Sequence, residues 1–169
     1  MIVQALKWLS GRWQIRKNLS DKAVRNYAFN GKHKNVAVLV DMNQFNETDK
    51  LYDLCETLDV PKTRMFILGY KKKEEKLVPF GIQYCTKDDL GWKGSINNKF
   101  FDDFVHREYD LLFNYFENSP LILSLISLQS KSKIRIGFSS SNKILNDIEI
   151  DSSIKEFETF KSVISKLVQ

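Results

Sequence analysis

Residues 109–139 constrain the fold more than any other stretch of the chain. Asp110-Leu111-Leu112-Phe113-Asn114-Tyr115-Phe116 is apolar on both alternating faces, Glu117-Asn118-Ser119-Pro120 reads as a turn, and Leu121 to Gln129 as a helix. Ile134-Arg135-Ile136-Gly137-Phe138 is then a second apolar strand. Strands apolar on both faces need cover on both sides, as the inner strands of a parallel sheet have. A helix between two such strands makes a right-handed crossover. Ser119 is the predicted N-cap, its hydroxyl accepting from an unpaired backbone NH. Pro120 is then the first helical residue, where a missing NH costs nothing. Leu121, Leu125 and Leu128, beside Ile122 and Ile126, give a stripe wide enough to be nearly all buried.

The same grammar occurs upstream. Asn35 to Asp41 is a buried strand, Asn46 caps a helix from Glu47 to about Leu58, and Arg64 to Tyr70 is the next strand, which completes a βαβ unit. Lys71 to Lys76 is a charge run of mixed sign, read as a solvated turn. Phe80 to Thr86 is a short strand near an edge, Lys87 to Asn98 a surface loop, and Asn98 to His106 a helix with Phe101, Phe104 and Val105 inward. Asn146 to Ile150 is a last short strand before an amphipathic helix, Ile154 to Leu167, with Phe157, Phe160, Ile164 and Leu167 on one face. The predicted architecture is α/β: three-layer and Rossmann-like, a mostly parallel sheet of five to six strands with helices on both faces. Residues 35–169 form this single domain, and residues 1–34 form a basic amphipathic N-terminal arm.

Charge separates the two parts. Eight Lys/Arg against Asp21 alone give residues 1–34 a charge of +7, while 18 basic and 20 acidic side chains leave the remaining 135 residues at −2. The arm from Ile2 to about Arg25 carries Ile2, Leu6, Leu9 and Trp13 at helical spacing, with the helix weakened or bent at Gly11. Ser20 caps a second short helix from Asp21 to Tyr27. This stripe either packs on the domain, leaving a merely solvated basic face, or serves a partner. The candidate partner-binding residues are Lys7, Trp8, Arg12, Trp13, Arg16 and Lys17. Polyanions are the partners that suit them, with RNA or the ribosome favoured over an anionic membrane surface, and tryptophan suits either. Docking on a protein complex is a further option, and sequence-specific DNA binding is not expected.

The chemistry-bearing motifs are largely missing. No Gly-x-Gly-x-x-Gly follows a strand, and there is no Gly-Lys-Ser/Thr phosphate loop and no Gly-x-Ser-x-Gly elbow. His33 and His106 have no nucleophile at a recognisable spacing. Asp102 and Asp103, adjacent on a helix, do not share a face. Cys55 and Cys85 read as buried structural thiols. No catalytic residue, metal or cofactor is expected. The chain start lacks the features of a signal peptide, and no apolar run reaches the roughly 18 residues of a membrane span. A cytoplasmic protein follows, with a peripheral position at the inner membrane as the variant. Ligands of an open parallel sheet bind beyond the carboxyl ends of its strands, which makes Asp41, Asn43, Ser139 and Ser141 candidate ligand-binding residues. An Asp ending a strand also makes a turn by bonding its own backbone, and the turn is preferred for Asp41. The expected function is a non-catalytic binding or adaptor domain attached through its basic helix. The alternative is an enzyme-like domain holding a nucleotide or sugar phosphate in the strand-end cleft.

Two resemblances rest on these residues. Tyr109 to Asn114, the leucine-rich helix and Lys133 to Phe138 resemble the N-terminal Rossmann-like half of heptosyltransferase-type glycosyltransferases over about thirty residues. That implies the fold, without the donor-binding half of such enzymes. Nearly the full length is similar to an uncharacterised Bacteroidota family known only as a domain of unknown function. The residues that carry this are the basic arm, Val36 to Asp41, Asp88 to Trp92, Tyr109 to Asn114, Ser132 to Phe138, and Asp147 to Ile150 with the Phe157/Phe160 helix. Ser132 stands where a small apolar residue is expected. The resemblance implies a fold and a lineage, and no activity.

Overall fold

The computed structural model describes residues 2–20, 35–74 and 82–168, and in the first helix the side chains of residues 3–15. The predicted helix Asp21–Tyr27, the loop holding His33, the end of the Lys71–Lys76 run, and Phe80 and Gly81 lie outside the described residues.

Six strands form one sheet: β1 (Val36–Asp41), β2 (Met65–Lys71), β3 (Gln83–Thr86), β4 (Glu108–Tyr115), β5 (Lys131–Phe138) and β6 (Ile148–Ile150). Their order is β3-β2-β1-β4-β5-β6, and every neighbouring pair is parallel. The α/β three-layer architecture is as the apolar runs require. Val36, Val38, Val40, Leu111, Phe113 and Tyr115 point to one face, which α2 (Leu54–Thr57) and α5 (Phe157–Val168) cover. Ala37, Leu39 and Leu112 point to the other, covered by α3 (Lys99–Val105) and α4 (Leu121–Gln129). On the α5 side Tyr115 is an aromatic hub. Its ring lies 5.1 Å from both Phe138 and Phe160, and its hydroxyl donates to the Ile154 carbonyl at 2.8 Å. Edge-on aromatic pairs of this kind contribute about 0.5–1.5 kcal/mol each beyond burial.

Local chemistry departs from expectation at two caps. Ser119 does not cap α4: Pro120 occupies the cap position with no side-chain bond, and the Ser119 hydroxyl instead accepts from the Asn142 backbone NH. Asn46 does not open an α-helix either. Thr48–Asp53 winds as a 3-10 helix that relaxes into the single α turn of α2, with no side-chain cap at Glu47. Asn98 does cap α3, accepting from the Phe100 NH at 3.0 Å.

The described part of the basic arm packs on the domain. It is α1 (Ile2–Ser20), unbroken at Gly11, and it lies along α4 and the 92–94 turn. A Cβ built on Gly11 would sit 3.4 Å from Leu125 Cδ1 and 3.5 Å from Leu121 Cδ2, so the glycine is where the two helices touch. Polar clips hold the rest. Gln4 Nε2 donates to the Lys87 carbonyl at 2.9 Å, and the Lys93 NH donates to Ser10 Oγ at 3.0 Å.

Candidate functional site

The connection leaving β1 runs to α2 on one face of the sheet, and the connection leaving β4 runs to α4 on the other. Between two such neighbours the chain parts, and a crevice opens at the strand ends. Here it is a cavity of about 740 Å³, within the range of roughly 300–1,000 Å³ usual for small-molecule sites. Asp41, Asn43 and Gln44 enter it from β1, Tyr70 and Lys72 from β2, and Lys87 and Leu90 from the segment after β3. Asn118, Pro120, Leu121 and Ile122 form the α4 wall, and Gln4, Ala5 and Trp8 of α1 close the outer side.

Asp41 is 2% exposed. Its Oδ1 accepts from the Asn43 backbone NH at 2.9 Å and from Asn43 Nδ2 at 2.6 Å, and Asn43 Oδ1 accepts from the Lys72 NH at 3.1 Å. The predicted turn is therefore present and the carboxylate also lines the cavity. Both of these bonds fall on one oxygen. Gln44, which the sequence gives no reason to single out, bridges the crevice: its Oε1 accepts from the Glu117 NH at 3.1 Å. The Tyr70 hydroxyl has its pKa pushed up, first by burial and then by the charges of Asp41 and Asp88, so it stays a neutral donor. Asn118 and Ser119, at the rim, both hold left-handed backbone at φ 56° and 45°, a strained pair for residues other than glycine. A second hollow of about 380 Å³, lined by Arg12, Ser119 and Asn142 among others, shares Trp8 and Leu121 with the first. Arg12 lies over the Trp8 ring at 4.7 Å.

The other candidates are distributed differently. Ser141 is buried and committed: its hydroxyl donates to the Phe138 carbonyl at 2.7 Å and accepts from Asn146 Nδ2, which belongs to a network reaching Asn114. Ser139 Oγ donates to Asp151 at 3.1 Å. Neither serine lines the cavity, because the β5–β6 corner has taken both hydroxyls. Trp8 belongs with the cavity rather than with Trp13. Of the apolar stripe that either packs on the domain or serves a partner, Leu6, Leu9 and Trp13 face outward at 46%, 56% and 59% exposure, with Val3 beside them at 57%. The body instead receives Gly11 and the half-buried Gln4, Ser10, Gln14 and Ile15. The close approach at Gly11 and the clips at Gln4 and Ser10 decide which face turns inward. Trp92, in the neighbouring 92–94 turn, is also exposed, at 53%. Arg16 and Lys17 lie in the last turns of α1, beyond the described side chains.

Cys55 and Cys85 are buried free thiols, as expected. Burial, with a smaller push from Asp89, raises the Cys85 pKa to about 12. His106 Nδ1 pairs with the Asp102 carbonyl at 2.7 Å at the end of α3. Among the described residues no group of three or more His, Cys, Asp or Glu is placed to hold a metal ion, and no helix is long and apolar enough to cross a membrane. The family model described as "Family of unknown function (DUF6913)" matches residues 7–169. No curated protein matches the chain.

Proposed function

We propose, from the premise that the chain belongs to the DUF6913 family of unknown function, that it is a non-catalytic α/β binding module. It attaches peripherally to an anionic bilayer surface by the outward face of α1. The observation that carries this reading is the exposure of Val3, Leu6, Leu9 and Trp13 on a helix whose opposite face is taken up by the body. The sequence alone favours RNA, since phosphates want Lys and Arg and bases stack on tryptophan. Aliphatic side chains gain nothing from phosphates, however, whereas the boundary between headgroups and acyl chains takes aliphatic and indole groups together. The four cations of α1 (Lys7, Arg12, Arg16 and Lys17) add about 1 kcal/mol each near an anionic leaflet. The narrower likenesses, to Bacteroidota proteins and to heptosyltransferase-type enzymes over residues 109–138, support a lineage and the fold, and bring no transferase chemistry to this reading.

Vesicle flotation tests it. The protein is expected to float with phosphatidylglycerol-containing vesicles, to stay behind with neutral phosphatidylcholine, and to release as salt rises. Leu9→Glu with Trp13→Glu abolishes flotation while leaving a cooperative thermal transition, because neither residue belongs to the core. Flotation unaffected by this pair overturns the reading. Salt-sensitive binding to folded RNA that survives the pair restores the polyanion alternative.

A further inference from the structure

We propose that the cavity between the ends of β1 and β4 is a nucleoside phosphate site: Trp8 stacks on the base, Asp41 accepts from the ribose hydroxyls, and Lys72 and Lys87 pair with the phosphate. The site lies on the body side of α1 and uses none of Val3, Leu6, Leu9 or Trp13, so it stands apart from the membrane reading.

The lining chooses the ligand class by elimination. Most of the wall is apolar, built by Ala5, Leu90, Pro120, Leu121 and Ile122 beside the Trp8 indole, so the occupant needs a flat apolar body. A wholly apolar occupant, however, would strip water from Asp41, a carboxylate already 2% exposed, and give it no donor in return. A simple anion has no use for that carboxylate, and a simple cation would meet Lys72 and Lys87, two ammonium groups on exposed residues at the rim. What satisfies all three regions is one molecule with a planar aromatic end, neutral hydroxyl donors in the middle and an anionic tail. Charge-assisted bonds to the tail and to the carboxylate are the strong, orienting contacts. The aromatic end supplies area against an indole that is 44% exposed without it. The absence of a glycine-rich phosphate loop in the sequence points to side-chain ammonium groups, rather than backbone NH groups, as the phosphate contact.

The test uses the full chain carrying Trp13→Phe and Trp92→Phe, which leaves Trp8 as its single tryptophan out of three. ADP and UDP are titrated against its fluorescence, with adenosine and inorganic phosphate as part-ligands. Saturable quenching by a nucleotide is expected, with adenosine weaker by about tenfold or more and phosphate silent, since stacking and charge each contribute on the order of a decade. Asp41→Asn, which keeps the oxygen that accepts from Asn43, and the pair Lys72→Ala with Lys87→Ala are each expected to weaken nucleotide binding about tenfold. ADP is also expected to raise the melting temperature of the unsubstituted protein, and Trp8→Ala, made with Trp13 and Trp92 intact, removes that rise. Should Asp41→Asn lower the melting temperature by itself, the lysine pair and Trp8→Ala decide, because those side chains are exposed. No saturable quenching at millimolar nucleotide, equal affinity for adenosine and ADP, or affinity unmoved by the lysine pair and Trp8→Ala overturns the assignment. No vesicles enter this assay, so its failure leaves the membrane reading untouched, and the reverse holds for flotation.

Discussion

Single residues in this chain are decided by partners far away in sequence. Ser141 stands in a loop of hydroxyls that looks free to meet a ligand, yet Asn146 and the Phe138 carbonyl have claimed it. Asp41, by contrast, ends a buried strand and keeps its carboxylate on a cavity. Cys85 is the residue whose chemistry is most altered. Its thiol lies in β3 with no exposed surface, and burial foremost raises its pKa from 9.0 to about 12. A raised thiol pKa means that the folded chain prefers the neutral form. The stabilisation is complete below pH 9 or so, where the unfolded thiol also keeps its proton, and it drains away as pH climbs towards about 12. Burial moves the Tyr109 and Tyr115 hydroxyls in the same direction, with the same sign for stability. Thermal melts are therefore expected to be level between about pH 7 and 9 as far as these groups go, and to fall steadily above that. Both cysteines are expected to resist alkylation at about pH 8 until denaturant is added. A melting temperature that holds or rises at alkaline pH, or rapid alkylation of the native protein, contradicts this account.

At the scale of elements, α1 is held by two glycines that behave oppositely on substitution. At Gly11 the nearest heavy atom to an added Cβ is 3.4 Å away, ordinary contact, and the backbone is helical. Gly11→Ala is thus expected to gain most of the roughly 1 kcal/mol by which alanine outdoes glycine in a helix. At Gly94 the backbone sits at φ 79° and the Cβ would come within 2.9 Å of Leu125 Cδ2 and 3.4 Å of Gln14. Gly94→Ala is expected to lose about 1–2 kcal/mol from the left-handed backbone alone, and to lift α1 from α4. Melting temperatures measured side by side should move up for the first and down for the second, by about 2–4 °C per kcal/mol; both moving down would mean that α1 sits more tightly on α4 than these distances allow. Much at this scale was legible in the sequence. The apolar runs at 36–40, 111–116 and 134–138 could only be inner strands, and Phe157, Phe160 and Ile164 could only be an inward helix face. The orientation of α1 was not legible. Periodicity reveals that a stripe exists, but the choice of the face that turns inward was made by Gly11, Gln4 and Ser10 meeting residues more than 80 positions away. The winding of Thr48–Asp53 was equally hidden, since a 3-10 and an α turn bury the same leucines. The strand-end position of the cavity, with Asp41 and Asn43 in its lining, followed from the parallel sheet, whereas the outer wall that Gln4, Ala5 and Trp8 of α1 supply is announced by no local pattern.

At the scale of the whole molecule, α1 is a two-sided element laid on a body that already has its core. Its outer side carries the exposed ridge, its inner side closes the cavity, and what it buries among residues 3–15 is little: Gly11 fully, with Ile15 and four polar side chains in part. The two packed faces of the sheet are completed instead by α2, α3, α4 and α5. Removing residues 2–20 is therefore expected to leave a cooperatively folding α/β domain. Leu121 and Leu125 would lose their cover, and at about 25 cal/mol per Å² of apolar surface returned to water the cost is a few kcal/mol at most. That corresponds to a melting temperature lower by roughly 5–10 °C, with near-native far-ultraviolet dichroism apart from the lost helix and a modest rise in dye binding to the bared α4. Because one helix serves both surfaces, the truncated protein should lose vesicle flotation and nucleotide quenching together, whereas Leu9→Glu with Trp13→Glu takes only the first and Lys72→Ala with Lys87→Ala only the second. A truncation that melts without a transition would move α1 from the surface of this fold into its core, and with it the division of labour between the two faces of that helix.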